Sequence, residues 1–281
     1  MSPEKIFTPR GGERMRIACF VSGSGTNARR IIERSLEPDC RYEVVLIFTD
    51  VRDDRFKRDG GKRCRAWDIC EEYSLAYRCE DIRDFYRSKG RKSRRDLSLR
   101  PEFDARVVEK IAPYKIDLIA LAGYMSITTH PLLEAYDGRM VNVHPADLSI
   151  MEGGKRKYVG IHVVKDAILA GEEGLRSSTH IVREKVDQGE ILIISETLPV
   201  ELPPGVDLKD LREDKELLER VVEDHQDRLK ERGDWIIYPL TLQMIAEGRF
   251  SLDGRENVYF DGERLHNGLR LDDVGRVLNP G

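Results

Sequence analysis

Asn142 and His144 stand two positions apart in the run MVNVHP. If that run is a strand, both side chains project from one face at its carboxyl end. An amide there can donate to a developing oxyanion while an imidazole takes or gives a proton near neutral pH, a pairing suited to acyl transfer onto a nucleophile. A strand-end His and Asn that merely satisfy each other or the backbone is the competing account. Asp187, in KVDQGEILI, precedes a Gln188–Gly189 turn, where an Asp is ordinary loop chemistry. Placed near His144 it would hold the imidazolium and raise its pKa. The other histidines, His130, His162, His180, His225 and His266, show no ligand spacing, which argues against a metal site.

A second chemical candidate is the stretch VSGSGTN, Val21 to Asn27. A strand that ends in Gly23, Ser24, Gly25, Thr26 and Asn27 and opens a helix aims several backbone N–H groups and the positive end of the helix dipole at one point. That point suits a phosphate, and a side chain at Gly25 is expected to block close approach of the ligand. The spacing is neither the dinucleotide G-x-G-x-x-G nor a P-loop, which disfavours NAD and ATP. A tight strand-to-helix connection with no ligand explains the same glycines.

These residues need a scaffold that brings strand ends together. MRIACFVSG, YEVVLIFTD, LAYRCE, IDLIALAGYM and GRMVNVHP read as strands, with helices at NARRIIERSL, GGKRCRAWDICEEY and PEFDARVVEKIAPY between them and a helix-like THPLLEAY before the last. Phe103, Val107 and Ile111 share one helical face. Near-continuous apolar strands alternating with amphipathic helices predict an α/β fold, a mostly parallel twisted sheet covered by helices on both faces, with sites at the strands' carboxyl ends. From Thr179 onward the sequence predicts two strands joined by a turn, then one long charged helix from Asp207 to Gly233 with Leu211, Leu218, Val222 and Leu229 inward, then an apolar helix and a closing hairpin.

Of 281 residues 35% are charged, yet the formal net charge is only −4, so no global field draws the protein to nucleic acid or anionic membrane. The five cysteines lack paired metal-type spacing and fit reduced thiols in a cytoplasmic protein. No uncharged apolar run approaches the ~18 residues of a membrane span. Two basic segments, RSKGRKSRR from Arg87 to Arg95 and GGKRKY from Gly153 to Tyr158, read as solvated loops or as attractors of an anionic ligand arm or RNA.

In order along the chain, SGSGTN, LAGYM, NVHP, DQGEIL, IIYPL and ENVYFDGERL resemble the formyltransferase family that uses 10-formyltetrahydrofolate, in particular its branch acting on glycinamide ribonucleotide. The likeness runs from about Arg16 to Leu265. It implies a Rossmann-like formyltransferase domain over residues 16–281, after a loose leader over 1–15 and with a basic insertion around 86–99. It implies that Asn142, His144 and Asp187 are catalytic, and that Gly23 to Asn27 with Arg100 hold the acceptor's phosphate. Asp234 falls where the family binds the acceptor, and Met125, Ser126, Ile127, Thr128, Arg183, Glu184, Lys185 and Val186 match the segments that line the folate pocket. The co-substrate implied is 10-formyltetrahydrofolate, with no metal; the partners are small molecules, with a homodimer left open and nucleic acid disfavoured.

Three departures bear on the acceptor. The family's H-P-S-L-L-P is here His144-Pro145-Ala146-Asp147-Leu148-Ser149, which sets an acid beside the histidine; IMEGGKRKYVG replaces a shorter loop; and Ser126 stands where the family carries an arginine. An enzyme formylating a nucleotide-sugar amine, and a non-catalytic folate-, phosphate- or RNA-binding homologue, are the alternatives.

Overall fold

A strand that is apolar at every position is stable only where both faces of its sheet are covered. The computed structural model, which describes residues 2–254 and 257–271, has this arrangement. Strands β1 (Met15–Val21), β2 (Tyr42–Thr49), β3 (Ala76–Cys79), β4 (Leu118–Leu121), β5 (Met140–His144), β6 (Ser178–Ile181), β7 (Ile191–Ile194) and β8 (Leu269–Arg270) form one sheet in the order β8-β7-β6-β5-β4-β1-β2-β3. From β3 to β5 every pairing is parallel. β6 runs antiparallel to both β5 and β7, and β8 joins β7 in parallel.

The main helices are α1 (Thr26–Ser35), α2 (Ala66–Tyr73), α3 (Ile82–Ser88), α4 (Arg100–Ile111), α5 (Val163–Ala170), α6 (Lys215–Leu229) and α7 (Trp235–Ala246), with shorter ones at Leu132–Ala135 and Leu208–Glu213. Alternate residues of β1 serve opposite faces. Ile17, Cys19 and Val21 pack with Ile31 and Ile32 of α1 and with Ile237 and Leu242 of α7, whereas Ala18 and Phe20 pack with Phe85 of α3 and Phe103, Val107 and Ile111 of α4. A third apolar cluster joins α5 to α6. Among the described residues no helix is long and apolar enough to cross a membrane.

Three expectations about elements need correction. The charged helix is broken: Asp214 is extended and its side chain accepts from the Leu217 N–H, so it ends the helix Leu208–Glu213 and caps α6. On α6 the buried residues are Leu218, Val221, His225 and Leu229, and Val222 is only half-buried. The leader is not loose throughout, because Glu4–Lys5 pairs antiparallel with Ser251–Leu252 and Ile6 is buried. The closing strands Phe250–Leu252, Val258–Phe260 and Glu263–Leu265 extend that second sheet. Arg255 and Glu256 in the hairpin, and residues 272–281 of the expected domain, lie outside the described residues.

Candidate active site

β5 ends at His144, and the pleat sets Asn142 and His144 on one face. The antiparallel register places Ser178 opposite His144 and His180 opposite Asn142. Asn142 Nδ2 lies 3.2 Å from His180 Nε2, while His180 Nδ1 is held 2.8 Å from the Ile181 carbonyl. The loop between β6 and β7 returns Asp187 to this cluster. Its two carboxylate oxygens lie 3.6 Å from His144 Nδ1 and 3.6 Å from His180 Nε2. Asn142, His144 and Asp187, far apart in sequence, are thus one cluster, with His180 as its fourth member.

The segment from Met151 to Gly160 fixes the geometry of that cluster. It forms a small hairpin, Met151–Glu152 against Lys155–Arg156, and then runs past the two acidic and imidazole groups. The Tyr158 carbonyl lies 3.3 Å from His144 Nε2, and the Gly160 N–H donates to Asp187 Oδ2 at 2.9 Å. Arg156 donates to the carbonyl oxygens of Asp187 at 2.5 Å and Gly189 at 2.8 Å. Asp187 has a φ of 55°, a left-handed conformation that Asp tolerates better than most residues but that needs outside support. Arg156 and Gly160 supply it.

Burial decides the charge states. It pushes the His144 pKa below its ordinary value, although the Asp187 carboxylate opposes it. The expectation that Asp187 leaves His144 with a raised pKa is therefore corrected, because desolvation of the imidazolium outweighs one carboxylate at 3.6 Å. For Asp187 itself burial acts upward, but His180, His144 and the Gly160 N–H together hold its carboxyl below the usual range. The resting pair is a carboxylate beside a neutral imidazole, a form competent to accept a proton. Asp147, the acid next to the histidine in sequence, is turned away: Ser149 and Arg270 take its two oxygens.

Two strands from β5 across the sheet, the loop after β1 opens α1. Gly25 caps α1 at φ 69° without a side-chain bond, so the first N–H groups of the helix have no intrahelical partner. A Cβ on Gly25 would meet Ile69 Cδ1 at 2.4 Å, whereas one on Gly23 would meet nothing within 4 Å. The expectation that a side chain at Gly25 blocks a ligand is corrected: its direction is into the core, and Gly23 is the glycine with open space. Ser24 is exposed and Thr26 half-buried. Asn27 Nδ2 donates to Asp234 Oδ2 at 3.3 Å, and Asp234 Oδ1 accepts from Ser177 Oγ at 2.6 Å. Asp234, buried at the π-helical turn before α7, thus ties Asn27 of the loop to Ser177 beside β6, one carboxylate oxygen to each.

The remaining predicted residues lie elsewhere around the same edge. Arg100 is only 4% exposed and lines a cleft of about 700 Å³ together with Met125, Ser126 and Ile127; none of Gly23 to Asn27 lines that cleft. Ser126 donates to Asp50 Oδ2 at 2.5 Å, and Ser22 bridges Asp50 Oδ1 at 2.6 Å to the Met125 N–H at 2.9 Å. Met125 and Ile127 are exposed apolar side chains, and Thr128 is buried. Arg183 is held by Glu190 at 2.6 Å and by Asp137, Glu184 and Lys185 are exposed or partly so, and Val186 is 54% exposed. Among the described residues no group of three or more His, Cys, Asp or Glu side chains is arranged to hold a metal ion.

The sequence model of the formyl transferase family matches residues 15–211, more than two thirds of the chain. The chain belongs to the formyl transferase family. This formyl transferase is 27% identical to phosphoribosylglycinamide formyltransferase of Haemophilus influenzae, an alignment that covers 89% of this chain and 95% of the relative. It is 31% identical to the chloroplastic phosphoribosylglycinamide formyltransferase of Arabidopsis thaliana over 79% of this chain and 70% of that one. Its fold superposes on glycinamide ribonucleotide transformylase 1 of Symbiobacterium toebii with a TM-score of 0.62 at 25% identity, over 89% of this chain and 95% of the other.

Several residues of this formyl transferase's site escape a reading of the sequence. His180 is a lone histidine in an apolar strand, and only its register opposite Asn142 gives it a place. Arg156, Tyr158 and Gly160 sit in a segment whose basic composition reads as a solvated loop. The one signal for them was the length of IMEGGKRKYVG between two catalytic candidates.

Proposed function

We propose that the protein transfers a formyl group from 10-formyltetrahydrofolate to the amine of glycinamide ribonucleotide, a step of purine biosynthesis. The observation that carries this reading is the cluster at the end of β5, where the Asp187 carboxylate lies 3.6 Å from both His144 and His180, and His180 lies 3.2 Å from the Asn142 amide. Relatives named phosphoribosylglycinamide formyltransferase, aligned over most of both chains, supply the acceptor.

In this reading the acceptor's amine attacks the formyl carbon, and the carbonyl oxygen becomes an oxyanion. Asn142 donates to it through Nδ2, an atom that His180 already orients. His144 takes the proton that the amine must lose and passes it to the departing nitrogen of the folate, while Asp187 stabilises the imidazolium formed in between. The loop from Gly23 to Asn27 receives the acceptor's phosphate through backbone N–H groups at the start of α1. Exposed Met125, Ile127 and Val186 offer apolar contact to a flat ring system beside the reacting carbon. We read residues 16–281 as one such unit, acting in the cytoplasm on two small molecules.

The test is formyl transfer by the purified protein with each of two acceptors, glycinamide ribonucleotide and a nucleotide-sugar amine. Turnover with the first and loss of at least ~100-fold in kcat for His144→Ala are expected. Turnover only with the second would keep the chemistry and discard the acceptor; wild-type turnover in His144→Ala would discard both.

A further inference from the structure

The turn after His144 departs from the family's pattern, with Asp147 in place of a leucine and Ser149 in place of the second proline. A proline would restrain this stretch by fixing φ, and a serine does not. Side chains supply the restraint instead. Asp147 Oδ1 accepts from the Ser149 N–H at 2.9 Å and from its hydroxyl at 2.5 Å. Arg270 donates to Asp147 Oδ2 at 3.3 Å and to Ser149 Oγ at 3.0 Å, which closes a ring of three side chains. Within the turn the Ala146 N–H donates to the His144 carbonyl at 2.8 Å. Ser178, opposite His144 in register, donates to the Ala146 carbonyl at 2.7 Å and accepts from the Leu148 N–H at 3.1 Å. Leu148 packs with Ile191 and Ile194 of β7. Arg270 reaches the turn from β8, whose parallel register sets Leu269 beside Ile193 and Arg270 beside Ile194.

An ion pair between two exposed side chains contributes little. Here the arginine is 37% exposed but the acid only 9%, so loss of Arg270 leaves a nearly buried carboxylate without its counter-charge. Three residues of chain keep the Asp147 Cα within ~11 Å of that of His144. That is about the reach of a charge at ordinary salt, and shorter than its reach where water is excluded. Burial lowers the His144 pKa first of all; Asp187 and the Tyr158 carbonyl raise it, and His180 and Arg156 lower it further. An uncompensated Asp147 would join the groups that raise it.

We propose that Arg270 is a positioning residue for His144: it clamps the 145–149 turn through Asp147 and Ser149 and neutralises the one acid in that turn. The proposal rests on the reading of His144 as the group that takes the amine's proton. It makes β8, two strands beyond β6 at the edge of the sheet, part of what holds the imidazole.

Two readouts on the whole protein test it: formyl transfer from pH 4.5 to 8, and NMR titration of the His144 imidazole, its resonance assigned by its loss in His144→Ala. Arg270→Ala should move the acid limb of kcat/KM and the NMR midpoint upward by at least ~0.5 pH unit. It should also lower kcat by ~3- to 10-fold with KM little changed, the scale of a lost hydrogen bond to a charged group. Asp147→Asn should keep both midpoints near wild type, and in that background loss of Arg270 should no longer move them, since neighbours that act as a unit are not additive. Arg270→Gln keeps a donor for Ser149 without the charge; it should shift the midpoints as Arg270→Ala does with a smaller loss of kcat, and it serves where Arg270→Ala melts too low to assay. An NMR midpoint unmoved in both Arg270 variants, or moved equally with and without Asp147, overturns the proposal. A midpoint that moves while the limb of turnover stays in place keeps Arg270's hold on His144 and overturns instead the reading of His144 as the proton acceptor.

Discussion

His144 Nδ1 and Asp187 Oδ2 are 3.6 Å apart with both side chains more than nine-tenths buried, and the imidazole is nonetheless held below its ordinary pKa. The acid limb of kcat/KM should therefore lie below pH 6.5, since His144 must be neutral to take a proton. Asp187→Asn removes the group that draws the value up, so the limb should move to still lower pH while kcat at pH 7.5 falls by at least ~100-fold. A pH–rate profile from 4.5 to 8, with the fold checked by melting, reads both; an unmoved limb in the variant would detach Asp187 from His144.

Arg156 acts on the same imidazole with the opposite sign. Its charge lowers the His144 pKa, and its hydrogen bonds hold the backbone of Asp187 and Gly189. Arg156→Ala should move the acid limb upward and lower kcat by ~10- to 100-fold, the scale of a lost charge-assisted bond, with acceptor KM little changed. Arg156→Lys, which keeps the charge without the fork, should restore the limb more fully than kcat.

The two glycines of the loop after β1 should respond differently. At Gly23 a Cβ meets open space, so Gly23→Val should melt near the wild-type temperature and raise acceptor KM by crowding the approach to the N–H groups. Gly25→Val meets Ile69 at a left-handed φ and should destabilise by ~2–5 kcal/mol, from the conformational and overpacking penalties together. Melting curves beside Michaelis plots separate the two, and unchanged acceptor KM in Gly23→Val would remove the loop from acceptor binding.

Asp104 offers a pH-dependent stability measurement away from the reacting groups. It is fully buried, accepts from Thr129 N and Oγ1 at 2.6 and 2.7 Å, and burial pushes its pKa up to about 6. A raised carboxyl favours the folded state below its unfolded value, near 4, and that advantage is lost as pH rises through about 6. Asp104→Asn keeps an acceptor for Thr129 and cannot ionise. Its melting temperature relative to wild type should climb between pH 4 and pH 7.5, by up to the equivalent of ~3 kcal/mol. A flat difference across that range would show that the Asp104 carboxyl has the same pKa in the folded protein as in the unfolded chain.

The parallel part of the sheet was legible because Ile17 to Val21 and Val44 to Phe48 are apolar at successive positions, and two-sided burial is the one condition that stabilises such strands. Phe103, Val107 and Ile111 were legible because helical period and burial coincide. The break at Asp214 was hidden, since a capping Asp between charged residues resembles one more solvated position. At the site, Asn142 and His144 follow from strand period, but Asp187 reaches them through a loop whose path no local pattern encodes. The sign of the His144 shift was also beyond the sequence, because it depends on how much water the segment 151–160 excludes. The basic run gave no hint that Arg87, Lys89 and Arg91 reach Asp84, Glu102 and Asp96 while Lys92, Arg94 and Arg95, together with Arg87, line a cleft.

Helix α7 lies beyond residue 211, where the family's sequence match stops, yet it is fastened to the chemistry. Tyr238 donates to the Val141 carbonyl at 2.7 Å, one residue before Asn142; Thr241 meets Thr179 at 2.8 Å; and Asp234 steadies Asn27. A chain nicked in the exposed turn near Gly205 would thus yield two fragments, each with half of one interior. Activity would return only on their reassembly, which makes this turn a natural place to split the enzyme into a complementation pair.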